Sequence, residues 1–116
     1  PVDENDRSMA YYHWWPKKNS TEWITYEFPK PSKVSSSTVY WFDDEPWGGC
    51  RVPQSWKLYY KDEQGGWTPV SATGTYGTKK GVPNTVEFTP VQTTAMKLEV
   101  VLPKDNSAGV FEWEVE

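Results

Sequence analysis

Helical periodicity is absent throughout the 116 residues, and ten prolines and eight glycines scattered along them leave only short stretches between breakers. Proline removes a backbone donor and clashes with the preceding turn, and glycine weakens a helix interior, so such a chain is driven to short extended segments joined by turns. Those segments alternate apolar and polar residues with period two, which marks half-buried strands. Thr21 to Phe28 sets Ile24, Tyr26 and Phe28 against Thr25 and Glu27, and Pro29 and Pro31 are expected to stop it. Lys33 to Phe42 is rich in β-branched, serine and aromatic residues. Val34 there falls on the opposite parity from Val39 and Trp41, so either a bulge lies among Ser35, Ser36 and Ser37 or both faces are covered. Ser55 to Asp62 places Trp56, Leu58 and Tyr60 on one face; Glu63-Gln64-Gly65-Gly66 then reads as a hairpin turn into a short return strand ending at Val70. Thr85 to Phe88 points Val86 and Phe88 inward, and Ala95 to Leu102 sets Met96, Leu98, Val100 and Leu102 on one face. Val110 to Val115 points Phe111, Trp113 and Val115 inward against Glu112 and Glu114.

Short strands at this spacing predict one all-β domain over residues 1–116, an antiparallel β-sandwich or jelly roll. Its core is expected to contain Ile24, Tyr26, Val39, Trp56, Leu58, Val86, Phe88, Leu98, Val100 and Trp113. Residues 1–20 and 43–53 are too long for simple turns, and long loops cluster at the ends of a sandwich, where binding sites are built.

The hydrophobic fraction is only 36%, but aromatic residues make up 16%, with eight tryptophans, so burial rests on rings more than on aliphatic side chains. The net charge of −4, with Lys17-Lys18 and Lys79-Lys80 the only local basic pairs, offers no stripe for nucleic acid or anionic lipid. No apolar run approaches the ~20 residues of a membrane helix, so membrane insertion is not expected. Cys50 is the single cysteine and His13 the single histidine, which excludes an intrachain disulfide and a zinc site built on several such ligands. No orienting motif flanks Cys50 to make it a nucleophile. The chain opens on Pro1-Val2-Asp3 without a signal peptide and reads as a piece excised from a longer polypeptide whose targeting signal lies elsewhere.

The string Glu22-Trp23-Ile24-Thr25-Tyr26-Glu27-Phe28 resembles a characteristic strand of discoidin-type (coagulation factor type C-like), galactose-binding-like domains. Further pieces fall in the same order: Lys33-Val34, Val39-Tyr40-Trp41, Arg51-Val52-Pro53, Ser55 to Tyr60, Gly66 to Val70, Met96 to Val100 and Val110 to Val115. Tyr11 to Pro16, Tyr40 to Asp44 and Trp47 to Pro53 are also similar to the sandwich modules appended to bacterial six-hairpin glycosidases of the β-L-arabinofuranosidase type. The resemblance implies a galactose-binding-domain-like sandwich that binds plant or host polysaccharide as a non-catalytic module of a secreted bacterial glycoside hydrolase. It would work outside the cell, in the periplasm or at the cell surface. The alternative is a structural domain that docks on its own catalytic domain without binding sugar. Discoidin-type domains begin with a strand and an Asp-Gly turn, neither of which precedes Pro1, so a first strand is expected to be missing.

Sugars are held by stacking their C–H faces on aromatic rings while planar or charged groups read the hydroxyls. Tyr12, His13, Trp14 and Trp15 in the first long segment offer both components, with at least one tryptophan equally able to fill the end of the core. Trp47, next to Gly48-Gly49, and Arg51 make up the second candidate; Arg51 could instead pair with Asp43 or Asp44 to pin its loop. Asp43, Asp44, Glu45, Glu112 and Glu114 are read as solvated charges and not as a glycosidase pair. The one cofactor that the resemblance implies is a structural calcium, held by Glu112 with Asp3, Asp6 and Ser8 as loop partners.

Overall fold

The computed structural model describes residues 8–14, 17–42, 50–79 and 82–116; for residues 8–13, 42 and 111 it describes the backbone alone. The described elements are all strands: β1 (Ser8–His13), β2 (Thr21–Phe42), β3 (Cys50–Arg51), β4 (Ser55–Lys61), β5 (Trp67–Pro69), β6 (Asn84–Val101) and β7 (Ser107–Val115). Hydrogen bonds join them in the order β1, β7, β2, β6, β4, β5, with every neighbour antiparallel. β3 adds to β7 in parallel.

This single sheet becomes two layers because β2 and β6 serve both. Their pairing runs from Thr21↔Val101 to Glu27↔Ala95, slips, resumes from Ser32↔Thr93 to Val34↔Val91, slips again, and continues from Ser36↔Glu87 to Val39↔Asn84. The early half of β2 and the late half of β6 lie with β4 and β5; the late half of β2 lies with β7 and β1. Trp41 of β2 meets Trp56 of β4 edge-on, with ring centroids 5.4 Å apart and planes at 73°. On a flat sheet the length of β6 between Asn84, near Trp41, and Val100, the partner of Trp56, would hold those rings about 50 Å apart. Doubling the sheet over brings them together.

The expected core is present. Ile24, Val39, Trp56, Leu58, Val86, Phe88, Leu98, Val100 and Trp113 are buried, and Tyr26 packs half-exposed against them. The parity break in Lys33 to Phe42 is a true bulge, at the slip between Val34 and Ser36. Three of the buried indoles, those of Trp41, Trp56 and Trp113, place their N–H groups on acceptors, as a buried polar tip favours. Trp113 Nε1 donates to Ser37 Oγ at 2.8 Å, and Trp41 and Trp56 Nε1 both donate to the Gly77 carbonyl, at 3.1 and 2.8 Å.

Several boundaries differ from the sequence expectation. Pro29 and Pro31 do not end a strand, and Thr85 to Phe88 and Ala95 to Leu102 belong to one strand, β6, that passes through Pro90. Each of these prolines lies where the β2–β6 ladder is interrupted, so no N–H is missed there. The segment 1–20, read as a loop, contains β1, which forms the edge of its layer on β7. The 43–53 loop contains β3. On β7 the ladder to β2 skips Phe111, passing from Tyr40↔Glu112 to Trp41↔Val110. The inward positions therefore change from Ala108 and Val110 to Trp113 and Val115.

The β4–β5 hairpin is built on Asp62. Its Oδ1 accepts from the Gln64 and Gly66 backbones at 3.0 and 2.9 Å and its Oδ2 from Thr68 Oγ1 at 2.9 Å, while Gly65 turns with φ of 82°. The Thr68 hydroxyl first, and then the Gly66 amide, hold the Asp62 carboxyl below the usual carboxylate range.

Candidate binding end of the sandwich

The two aromatic segments singled out in the sequence leave from the same place. β1 ends at His13 and β2 at Phe42, and both residues lie opposite Gly109 at the start of β7. β3 sets Cys50 beside Ser107 and Arg51 beside Ala108. The Ala108 carbonyl accepts from the Trp14 backbone N–H at 2.9 Å and from the Cys50 thiol at 3.8 Å. Ser107, Ala108 and Gly109 thus tie the two long segments to one end of the sandwich. Small residues permit that close approach: Ser107 and Ala108 have no exposed surface.

Residues 77–79 and Val82 lie at the same end, beside the last residues of β2: the Gly77 carbonyl accepts from Trp41, and Asn84 pairs with Val39. They are held by Asn84, the first residue of β6, whose Oδ1 accepts from Lys79 N at 3.0 Å. Its Nδ2 donates to the carbonyls of Lys79, Val82 and Val39 at 2.8, 3.1 and 3.3 Å. A Cβ on Gly77 would stand 2.7 Å from Asn84 Oδ1, so only glycine lets the backbone pass there and offer its carbonyl to the two indoles. Tyr76 packs its ring on Trp56 at 4.8 Å, and burial raises its hydroxyl pKa above the ordinary value, against an opposing hydrogen bond with the Leu58 backbone.

The candidate residues take different places in this frame. Trp14 is 5% exposed and belongs to the core, so its ring is not a stacking surface. Tyr12 and His13 occupy the last rungs of β1, opposite Val110 and Gly109. Arg51 is half-buried at the rim, and its Nη1 donates to the Cys50 carbonyl at 2.8 Å. Trp15, Trp47, Asp3, Asp6, Asp43 and Asp44 lie outside the described residues. Glu112 sits half-buried on β7 between Ala10 of β1 and Tyr40 of β2. It is a hard oxygen donor of the kind calcium takes, but among the described residues no group of three or more His, Cys, Asp or Glu could hold a metal ion. Cys50 is buried and behaves as a small apolar residue.

Asn84 and Gly77 were not visible as site-forming residues. An asparagine just after Pro83 reads as turn punctuation, and nothing local reveals that its amide ties together Val39, Lys79 and Val82. What the geometry provides is a hydrogen-bonded backbone frame at the end of the sandwich where β1 and β2 finish and β3 and β7 begin.

A doubled antiparallel sheet with its long loops gathered at one end defines a galactose-binding-like β-sandwich. The family model of the F5/8 type C domain matches residues 2–114, and the chain belongs to that family. Solved structures share the fold. A chain of the Streptococcus pneumoniae β-galactosidase BgaA superposes with a TM-score of 0.76 at 15% identity, over 91% of this chain and 78% of that one. The Clostridium perfringens module CpGH89CBM32-5, in complex with GalNAc-β-1,3-galactose, gives 0.69 at 18% identity, over 97% and 76%. The family 32 carbohydrate-binding module of C. perfringens NanJ, in complex with galactose, gives 0.68 at 19% identity, over 90% and 74%.

Proposed function

We propose that this domain binds carbohydrate at the Ser107 end of the sandwich and acts as a non-catalytic accessory module, keeping a linked, secreted glycoside hydrolase near its polysaccharide. The observation that carries the reading is the convergence at Ala108: the segments bearing Tyr12 to Trp15 and Trp47 to Arg51 are anchored on one carbonyl. Two structures of the same fold hold galactose-type sugars. With Trp14 in the core, stacking falls to Trp15 or Trp47, and Arg51 and His13 supply donors for hydroxyls.

A shallow site on a small sandwich buries few ligand atoms, so the dissociation constant should be about 0.1–1 mM. A neutral sugar releases no counterions, so binding should vary little with salt. The test is titration of the chain with galactose, plant arabinan and galactan, and host glycans, followed by tryptophan fluorescence or calorimetry, with Trp47→Ala and Arg51→Ala alongside. Saturable binding weakened by both substitutions supports the reading. If no glycan changes the signal, and Trp47→Ala instead destabilises the longer polypeptide, the domain docks on its catalytic neighbour and the sugar-binding reading falls.

A further inference from the structure

Trp23 and Val82 are the large hydrophobic residues left exposed among the described residues, and Trp23 is the more open, at 57%. It lies on the outward parity of β2, beside buried Ile24, one rung in from the first outward pair, Thr21↔Val101. Across the ladder it faces Glu99 of β6, and Glu99 faces Lys57 of β4. Opposed residues on one face of a sheet hold their Cβ atoms about 5 Å apart, so ring, carboxylate and ammonium form one short row.

The carboxylate in that row is fixed. Tyr59 OH donates to Glu99 Oε1 at 3.2 Å, and Lys97 Nζ stands 3.9 Å from Glu99 Oε2. Lys97 is itself held over the Tyr59 ring at 4.6 Å and the Trp67 ring at 5.4 Å from their centroids. Burial, and then the charge of Glu99, raises the Tyr59 hydroxyl pKa above its ordinary value, so it remains a donor at neutral pH. Trp23 therefore stands on a strand, not a loop, next to an acceptor clamped from its far side.

A protein partner would want a contiguous apolar patch; beside Trp23 this face presents Thr21, Thr25, Glu99 and Lys57 with half-buried Val101, and the Tyr59 and Trp67 rings further along it are covered by the Lys97 ammonium. A polyanion would meet Glu99. A pyranose matches the arrangement: one C–H face to lay on the indole and a hydroxyl edge for the carboxylate and ammonium. We propose that the outer face of β2, β6 and β4 is a second glycan-binding platform, with a sugar ring stacked on Trp23 and its hydroxyls taken by Glu99 and Lys57. The proposal rests on the carbohydrate-binding reading of the domain but uses none of the loop-end residues. A polysaccharide engaging both sites would be held more tightly than either site alone holds a sugar, since the second contact becomes intramolecular.

The test uses the 116-residue chain. The Trp23 indole signal, identified in a nitrogen–proton spectrum by its loss in Trp23→Phe, is followed during titration with galacto-oligosaccharides. Retardation of the chain is measured in gels containing galactan, pectin or chitosan. The platform requires that the indole signal move in the wild-type chain and in Arg51→Ala alike. Trp23→Ala should weaken retardation roughly ten-fold with an unchanged melting temperature. A stationary Trp23 signal, with Trp23→Ala retarded like wild type while Arg51→Ala is not, overturns the platform and leaves the loop site standing. A Trp23 response that survives together with retardation unaffected by Arg51→Ala supports the platform and removes the loop site. A wild-type chain that shows neither response with any of these glycans overturns both.

Discussion

Exchanging Asn84 for alanine and for aspartate probes the frame beneath the binding end. The side chain of Asn84, 6% exposed, accepts one backbone N–H and directs its amide at three carbonyls between 2.8 and 3.3 Å away. An amide nitrogen carries two protons, so the three carbonyls share two donations. Asn84→Ala thus removes about three effective hydrogen bonds, and at about 1 kcal/mol net each the loss is about 3 kcal/mol. A domain of this size has roughly 6–15 kcal/mol of stability in all, so the melting temperature should fall by roughly 10–15 °C. Asn84→Asp keeps the shape but turns the donor into an acceptor facing those carbonyls. The folded state then favours the protonated acid, and its pKa rises above the ordinary aspartate value. A raised folded pKa gives stability that is complete below the unfolded pKa and lost as pH rises through the folded one. Asn84→Asp should therefore come nearest to wild type around pH 4 and fall away toward pH 7, while the alanine deficit stays constant. Urea unfolding followed by tryptophan fluorescence across that range measures both. An alanine variant within about 0.5 kcal/mol of wild type, or an aspartate deficit flat with pH, would show that the frame does not depend on this amide.

Ser37→Ala strands the buried Trp113 N–H and should cost about 1–3 kcal/mol; Ser37→Ala with Trp113→Phe should cost less than the sum of the two single changes, because both partners of one bond are gone, as a denaturation cycle will show. Asp62→Asn should lower the melting temperature at neutral pH. Since the folded carboxyl lies below its ordinary value, the stability it contributes is present above the unfolded pKa and lost as pH falls through the folded one, so the gap between variant and wild type should close in acid.

The residues that could be placed from the sequence were those whose role is decided by alternation. Ile24 and Phe28, Trp56 and Leu58, and Met96, Leu98 and Val100 are buried because side chains two apart share a face, and that rule needs no knowledge of partners. The same rule showed the parity break at Ser35 to Ser37 but left a bulge and two covered faces as alternatives, and the register slip between Val34 and Ser36 decides for the bulge. It could not show that β2 and β6 run on through Pro29, Pro31 and Pro90, because a proline reads as a stop unless the missing rungs of the ladder are known. The site divides in the same way. Both aromatic segments were legible as long and unusual, but their meeting at Ala108 joins residues far apart in the chain. Trp14 and Trp15 looked alike; only the completed sandwich assigns Trp14 to the core.

The shared β2–β6 ribbon also sets the tempo of folding. Val39 and Asn84, at one end of the ribbon, are 45 positions apart, and Thr21 and Val101, at the other, are 101 − 21 = 80 apart. The first rung therefore closes a long loop, and its entropy is lost before neighbouring contacts compensate for it. Each later rung lengthens that loop only slightly, so pairing can zip from Val39 and Asn84 toward Thr21 and Val101 once it has begun. Pairing this distant in sequence belongs to chains that fold in milliseconds to seconds and not in microseconds. Because the same two strands pass through both layers, one layer cannot melt without pulling on the ribbon that builds the other, and the domain is held to all-or-none unfolding.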